Sequence, residues 1–224
     1  MARGHPGIVT ALRDRYLDVV ASIYIYNEHR GYTSLDRVLE AARRHCPQDT
    51  AFIAAITSHR ADERKHYLMF RRWFERQGRM PLGVDRSFGH IDRFIGFAFG
   101  RGIDDLDVDT VVADVSAFEK LCRVIVLTEQ RGLVQVEQLL RSRTILSDPV
   151  MTRIFRVIHR DEPSHFLPYR DWLVRRGRPA ETRAERLADW CIHKVLLLVK
   201  LPALFLNVRT ARLGQWPDAG EAAG

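Results

Sequence analysis

The sequence predicts an all-α protein: a four-helix bundle with a long crossover, followed by a C-terminal fifth helix. Long stretches place apolar residues at spacings of three and four, the period of an amphipathic helix, and strand patterns are nearly absent. The chain is also a weak tandem repeat, which indicates two helical hairpins joined by a long connection. Six residues recur at an offset of 99: Glu63, His66, Phe70, Trp73, Gly78 and Arg79 correspond to Glu162, His165, Tyr169, Trp172, Gly177 and Arg178.

The first hairpin is expected to contain helices over about residues 8–44 and 49–77. Pro47, directly after Cys46, breaks the helical pattern between them, and Gly78 provides a stop for the second helix. A connection rich in Gly and Asp, about residues 79–107, then leads to the second hairpin.

The second hairpin is expected to contain helices over about residues 108–143 and 147–177, and a fifth helix to cover about 181–209. Ser147-Asp148-Pro149 favours a helix start, because a capping side chain is followed by proline at the first helical position. Pro202 should bend the fifth helix. As domains, we expect residues 1–178 to form the bundle, with hairpins at about 8–78 and 108–178, and residues 179–224 to form a C-terminal amphipathic helix and a flexible tail.

The composition is typical of one compact globular domain. Of the 224 residues, 46% are apolar and 28% charged, which excludes disordered and collagen-like chains. Three cysteines without a CxxC pair argue against a disulfide framework and a thiolate zinc site, and favour a reducing compartment. The net charge of +7 comes from Lys and Arg scattered among Asp and Glu, so we expect no nucleic-acid partner. The first residues show no secretory signal, so we expect a cytoplasmic location.

Each half carries a lone glutamate on its first helix and an Asp-Glu-x-x-His motif on its second. Glu and His three positions apart project from one side of a helix, so each pair can present an oxygen and a nitrogen to one point. Equal distances along the chain from the two turns place the glutamates and motif histidines at one height, and each glutamate interrupts an apolar face. The residues are Glu28 with Asp62, Glu63 and His66, and Glu129 with Asp161, Glu162 and His165.

Four ionised carboxylates in one core would be prohibitively costly without compensating charge. Two divalent cations supply that charge, and carboxylate with imidazole is a donor set that suits iron or manganese. Asp62 and Asp161 are expected to accept hydrogen bonds from the histidine N–H groups and so fix the rings. The predicted metal ligands are Glu28, Glu63, His66, Glu129, Glu162 and His165.

Two features of the motif region call for separate interpretation. Pro163 lies between Glu162 and His165, and its kink either re-aims His165 toward the metal or distorts the second half of the site. The remaining histidines lack the support of the repeated motif, although His59 and His159 lie near the two motifs. We interpret these as surface or packing residues: His45, His59, His90, His159 and His193.

At these residues the sequence resembles the ferritin-like di-iron carboxylate superfamily, over about residues 15–178. Within it, the chain is similar to the demethoxyubiquinone hydroxylases in three short runs and in an apolar helix after the bundle. The runs are Met80-Pro81-Leu82, Gly96-Phe97-Ala98-Phe99-Gly100 and Arg160-Asp161-Glu162.

The resemblance implies an enzyme that uses reduced di-iron and O2 to hydroxylate a small lipophilic, quinone-like substrate, with an external electron donor. The six predicted ligands would then bind iron, with Glu63 and Glu162 as the bridging, catalytic carboxylates. Four aromatic residues either line the pocket, act as redox-active neighbours or are ordinary core aromatics: Tyr24, Tyr32, Phe70 and Trp73. The other hypotheses are a ferroxidase or rubrerythrin-like peroxide-handling protein, and a scaffold that keeps the metal for stability.

The apolar stretch at residues 195–206 is interrupted by Lys200 and Pro202 and is shorter than the roughly 20 residues of a membrane-spanning helix. Basic residues and Trp190 flank it, so one interpretation is peripheral contact with an anionic inner membrane face through residues 190–212. The other is a fifth helix packed over the bundle or a homodimer contact.

Overall fold

The computed structural model describes residues 7–101 and 108–220, and within these ranges the regular secondary structure is helical, which confirms the predicted all-α class. The only β pairing in the described residues is an isolated bridge between Leu82 and Arg212. The expected start of the bundle at residues 1–6, the end of the crossover at 102–107 and the last residues of the expected tail, 221–224, lie outside the described residues.

The first hairpin consists of α1 (Ile8–His45) and α2 (Thr50–Arg76), which pack against each other along their length. Asp49 caps α2 because its side chain accepts a hydrogen bond of 3.1 Å from the Phe52 N–H. Gly78 ends the helix in the left-handed region with φ +64°, as the sequence predicted.

The connection between the hairpins contains a helix that the sequence analysis missed, α3 (His90–Phe99). Its Phe94 and Ile95 are buried, so its inner face belongs to the core. Asp92 ties it to α1 by accepting hydrogen bonds from the Tyr26 hydroxyl at 3.1 Å and from Arg30 at 2.7 Å. The expectation of a plain linker over 79–107 was therefore wrong, because this amphipathic run stood among Gly and Asp residues.

The expected third helix over 108–143 is divided into α4 (Val108–Ala113) and α5 (Val115–Leu139), followed by the single turn α6 (Arg143–Leu146). The division lies at Asp114, whose backbone is extended and whose side chain caps α5 by accepting from the Ser116 N–H. An N-cap requires non-helical backbone, so the capping residue itself breaks the helix.

The expected fourth helix is likewise divided, into α7 (Pro149–Asp161) and α8 (Pro163–Arg175). Proline has no N–H to donate, so the hydrogen-bond ladder is interrupted at Pro163 as the sequence predicted. Glu162 at the junction keeps helical angles, with φ −48° and ψ −43°.

The C-terminal segment contains α9 (Arg183–Val195), a five-residue π-helical segment (Leu196–Lys200) and α10 (Leu201–Leu206). The expected single helix over 181–209 is thus shorter and interrupted, because the π segment precedes Pro202. α9 packs on α3 and α5. Arg15 of α1 secures the end of α10 by donating to the carbonyls of Leu204 and Phe205.

Among the described residues, we find no helix with the length and apolar content needed to cross a membrane.

Two large hydrophobic clusters occupy opposite ends of the packed hairpins. The cluster near the α1–α2 turn includes Leu39, Phe52 and Trp172, whereas the cluster at the other end includes Phe70 and Phe155. The motif residues lie at chain positions between these clusters. The fold therefore places a polar layer between two dry ends.

Asp148 offers a test of how the two hairpins are joined. Its Oδ1 caps α7 by accepting from the N–H groups of Val150 and Met151, and its Oδ2 accepts from the buried Trp73 indole at 3.0 Å. Asp148→Ala should lower the free energy of unfolding by about 2–4 kcal/mol, because a cap and the partner of a buried N–H are lost together.

Urea denaturation measures this change, with Asp114→Ala as the matched control. Asp114 caps α5 without a second partner from another hairpin among the hydrogen bonds described, so its loss should be about 1 kcal/mol. Equal losses in the two variants would contradict the bridging role of Asp148.

Candidate metal centre

The predicted ligands lie together in the polar layer of the bundle. α1 contributes Glu28, α2 contributes Glu63 and His66, and α5 contributes Glu129. Glu28, Glu63, Glu162 and both motif histidines are at most 7% exposed, and Glu129 is half-buried. The repeated motif thus brings oxygen and nitrogen donors into the protein interior.

The donor atoms form two groups that share Glu63. In the first group, Glu28, Glu63 and His66 offer atoms that all lie within 4.8 Å of one another. The Nδ1 atom of His66 is 3.3 Å from Glu28 Oε2 and 4.0 Å from Glu63 Oε1. One imidazole nitrogen and two carboxylates therefore converge here.

The second group contains Glu63, Glu129, His165 and a histidine that the sequence analysis did not select, His59. Glu63 Oε1 is 3.3 Å from His165 Nδ1 and 3.7 Å from His59 Nε2. Because Glu63 belongs to both groups, its carboxylate can span two metal positions.

Glu162 does not occupy the same kind of position as Glu63. Its Oε2 lies 4.0 Å from His165 Nδ1, and it joins neither group of donor atoms. The side chain is buried, and its Oε2 has no hydrogen-bond partner in the protein. The structure therefore separates the two glutamates that the sequence analysis had treated as equivalent bridging residues, and the difference coincides with the helix junction before Pro163.

Asp62 and Asp161 contact the histidines in a crossed arrangement. Asp161 Oδ2 is 3.1 Å from His66 Nε2, and Asp62 Oδ2 is 3.5 Å from His165 Nε2, so each aspartate serves the histidine of the other half. Lys65 contacts both carboxylates. The contacts with His165 and Lys65 hold the pKa of Asp62 below its ordinary value. Since the aspartates face Nε2, the Nδ1 atoms face the glutamates.

The electrostatics of the layer favour a bound cation. Burial and the neighbouring Glu63 carboxylate raise the pKa of Glu28 to about 7 and that of Glu129 to about 8. Burial also disfavours ionised Glu63, but its contacts with His165 and His59 outweigh this and lower its pKa. The positive charge of the neighbouring histidines therefore does not stabilise all of these carboxylates in their ionised form.

The buried polar atoms without partners test whether metal ions fit these residues. His66 Nδ1, His165 Nδ1, His59 Nε2 and Glu162 Oε2 are buried and have no hydrogen-bond partner in the protein. Such groups normally cost free energy unless something satisfies them. They face the carboxylates, and nitrogen with oxygen is a donor set for divalent transition metals. The buried His/Glu cluster can therefore hold metal ions.

His59, which the sequence analysis interpreted as a surface or packing residue, is buried and belongs to the second group of donor atoms that could hold a metal ion. The signal was its position four residues before Glu63, on the same helical face. His159 obscured it, because it lies near the second motif but is 43% exposed and faces Glu137. At the repeat offset of 99, the counterpart of His59 is the buried Ile158.

Two glycines make room for the carboxylates. Gly31 and Gly132 each lie three residues after a ligand glutamate, Glu28 or Glu129. A Cβ at Gly31 would overlap Glu63 Oε2, and one at Gly132 would lie 3.2 Å from Glu162 Oε1. The repeated Glu-x-x-Gly pattern thus has a steric reason.

A cavity of about 650 Å³ opens onto the buried His/Glu cluster. Its lining includes all four glutamates, and most of its remaining wall is apolar, with Ile91, Ile95, Leu121 and Ile125 among the residues. The C-terminal segment contributes Leu197 and Leu201. The Tyr24 hydroxyl is buried beside the carboxylates without a hydrogen-bond partner. Such a space suits a mainly apolar small molecule.

Gly31→Ala tests the steric argument. The new methyl group must displace the Glu63 carboxylate, which belongs to both donor groups, so we expect metal content to fall strongly. Elemental analysis after equilibration with Fe²⁺ measures the change. Gly96→Ala in α3 is the control because the nearest atom that the new methyl group would meet, the Arg101 carbonyl oxygen, is 3.9 Å away. Wild-type metal content in Gly31→Ala would contradict the close approach.

Comparisons with protein-family models, with curated proteins and with solved structures found no match for this chain. The functional interpretation therefore depends on the residues of the site and their geometry.

Proposed function

We propose that this protein is a ferritin-like di-iron oxygenase that uses O2 to oxidise or hydroxylate a small lipophilic, quinone-like molecule. The observation that carries the proposal is the pair of donor groups sharing Glu63 beside a largely apolar cavity. Two helical hairpins that contribute Glu and Glu-x-x-His at one level support the ferritin-like assignment. Manganese would fit the same donor atoms.

When bound, two iron ions reduced by an external electron donor supply the electrons for reducing O2. The residues of the chain hold and orient the centre. Glu63 reaches both positions, while Asp161 and Asp62 fix the rings of His66 and His165 with Nδ1 inward. The apolar wall of the cavity keeps water from the substrate.

The cavity favours this function over ferroxidase or peroxide-handling chemistry. A protein that oxidises only iron or peroxide has no need of an apolar space large enough for an organic molecule, whereas here that space includes the candidate ligands themselves. The carboxylates with raised pKa, Glu28 and Glu129, would exchange their protons for metal ions during loading.

The proposed function predicts about two iron ions per chain and O2 consumption that needs both reductant and an organic substrate. The measurement is anaerobic iron loading, followed by mixing with O2 and mass spectrometry of co-purified lipids and added quinones. Glu63→Ala should lose both bound ions because Glu63 serves both groups. Glu137→Ala, on the same bundle but exposed, is the matched control.

Rapid oxidation of many equivalents of Fe²⁺ without an organic substrate would instead favour a ferroxidase. Full activity in Glu63→Ala would favour a scaffold in which the metal has no catalytic role.

The outer face of the C-terminal segment supports a peripheral membrane contact as part of this function. Trp190 is 56% exposed, Leu198 66% and Val199 58%, while Leu197 and Leu201 of the same segment line the cavity. Nearby basic residues such as Lys194 suit an anionic lipid surface. The segment would thus connect a cytoplasmic membrane face with the substrate cavity.

Leu198→Asp should weaken binding to vesicles of phosphatidylglycerol and phosphatidylcholine, because it places a charge on the apolar face. Vesicle co-sedimentation measures the change, with Val174→Asp on α8 as a control of similar exposure. The face would instead belong to a homodimer contact if the wild type does not bind vesicles and forms a dimer that Leu198→Asp dissociates.

A further inference from the structure

The His59 ring is held in a defined orientation beside the metal cluster. It is 2% exposed and stacks on the His165 ring, with centroids 4.1 Å apart and planes at 23°. Its Nδ1 lies 3.1 Å from the Tyr169 hydroxyl. With Nδ1 occupied in this way, Nε2 is the nitrogen that faces Glu63.

The Nε2 atom has no partner of its own. It is buried without a hydrogen bond, and its distance of 3.7 Å to Glu63 Oε1 is too long for one. A packing histidine would leave this nitrogen unsatisfied, at a cost in stability. A cation between His59, His165 and the carboxylates would satisfy His59 Nε2 and His165 Nδ1 at once.

The repeat supplies no second copy of this histidine. The equivalent position in the other half is Ile158, which is fully buried. The position nearest Glu28 has only the His66 nitrogen with its carboxylates. The duplication therefore produced two halves with similar carboxylates but different numbers of imidazole donors.

We propose that His59 is a metal ligand through Nε2, which makes the two metal positions unequal. One position is nitrogen-rich, with His59, His165, Glu63 and Glu129, and the other is oxygen-rich, with Glu28, Glu63 and His66. The inference rests on the metal centre of the proposed function. Imidazole suits Fe, Cu and Zn, whereas carboxylate suits Mn and Mg, so an ion of the first kind fills the nitrogen-rich position first and the oxygen-rich position second.

Tyr169 is a positioning residue in this arrangement. For Nε2 to bind a cation, Nδ1 must carry the proton and donate it to the Tyr169 hydroxyl oxygen. Tyr169 is fully buried and also lies on α8, close to His165. The hydroxyl can accept this hydrogen bond and so supports the tautomer in which Nε2 ligates.

The test is calorimetric titration of the metal-free full chain with Zn²⁺. The wild type should show two binding steps of different affinity. His59→Ala should weaken the tighter step by more than the tenfold to 100-fold that loss of a supporting contact costs, roughly, in metal sites. Tyr169→Phe should weaken the same step by about tenfold. His66→Ala should weaken mainly the other step, which makes it the matched control.

A spectroscopic measurement on the wild type keeps the test independent of variant folding. With one equivalent of Cu²⁺, pulsed electron paramagnetic resonance should detect couplings from two imidazole rings, and from one ring in His59→Gln. Far-UV circular dichroism reports whether each variant retains its helices.

The outcomes separate this inference from the proposed function. Two wild-type steps that His59→Ala leaves unchanged, or coupling to one ring in the wild type, would overturn the role of His59 but leave a two-metal centre. No binding of Zn²⁺, Cu²⁺ or Fe²⁺ by the wild type would overturn both.

Discussion

The burial of four glutamates in one layer is the constraint on which the rest of the structure depends. Removing ionised carboxylates from water costs several kcal/mol each unless opposite charge compensates. The ion pairs found for Glu28, Glu63 and Glu162 are with histidines. Of the nearby permanent cations, Lys65 lies between Asp62 and Asp161, and Arg131 faces Asp189 while also acting electrostatically on Glu129. The layer remains rich in carboxylates, and a cation bound among them would compensate their charge.

The two hairpins complete one another at this layer. Asp161 is hydrogen-bonded to His66, and Asp62 lies 3.5 Å from His165 Nε2, so each half places an aspartate beside the histidine of the other half. Within each half, by contrast, the glycine after the first glutamate makes room for the carboxylate of the second helix. The repeated sequence therefore accounts for the space around the carboxylates within each half. Contacts between the two halves place an aspartate beside each histidine ring. A metal site built from these residues would require both hairpins of the assembled bundle.

The helical class and the motif layer could be predicted because both depend on local spacing. Periodicity places a residue on a face, but does not say which distant side chain will meet it. The crossed aspartates and the shared role of Glu63 arise from contacts between halves, so they were not accessible to spacing arguments. The sequence prediction missed α3 because the Gly and Asp residues around it indicated a linker, although the ten residues of this helix have an amphipathic pattern.

Glu162 and His59 both show that the sequence repeat does not predict every difference between the two halves of the site. A matched motif suggested that Glu162 would equal Glu63, but Glu162 lies at the helix junction before Pro163 and belongs to neither group of donor atoms. His59 has no histidine counterpart at the repeat offset, so a search for repeated motifs did not select it as a ligand. A sequence repeat predicts the residues that the two halves share. It does not predict a residue that only one half contains, or a different position of a shared side chain.

The C-terminal segment places two environments on opposite sides of one helix. A π-helical stretch contains an extra residue per turn, which shifts the faces on which successive side chains lie. Here the stretch spans Leu196–Lys200, where Leu197 lines the cavity and is 38% exposed, while Leu198 and Val199 are 66% and 58% exposed. A helix with side chains is only about 10 Å across, so no more than the width of one helix separates the exposed apolar face from the cavity beside the His/Glu cluster.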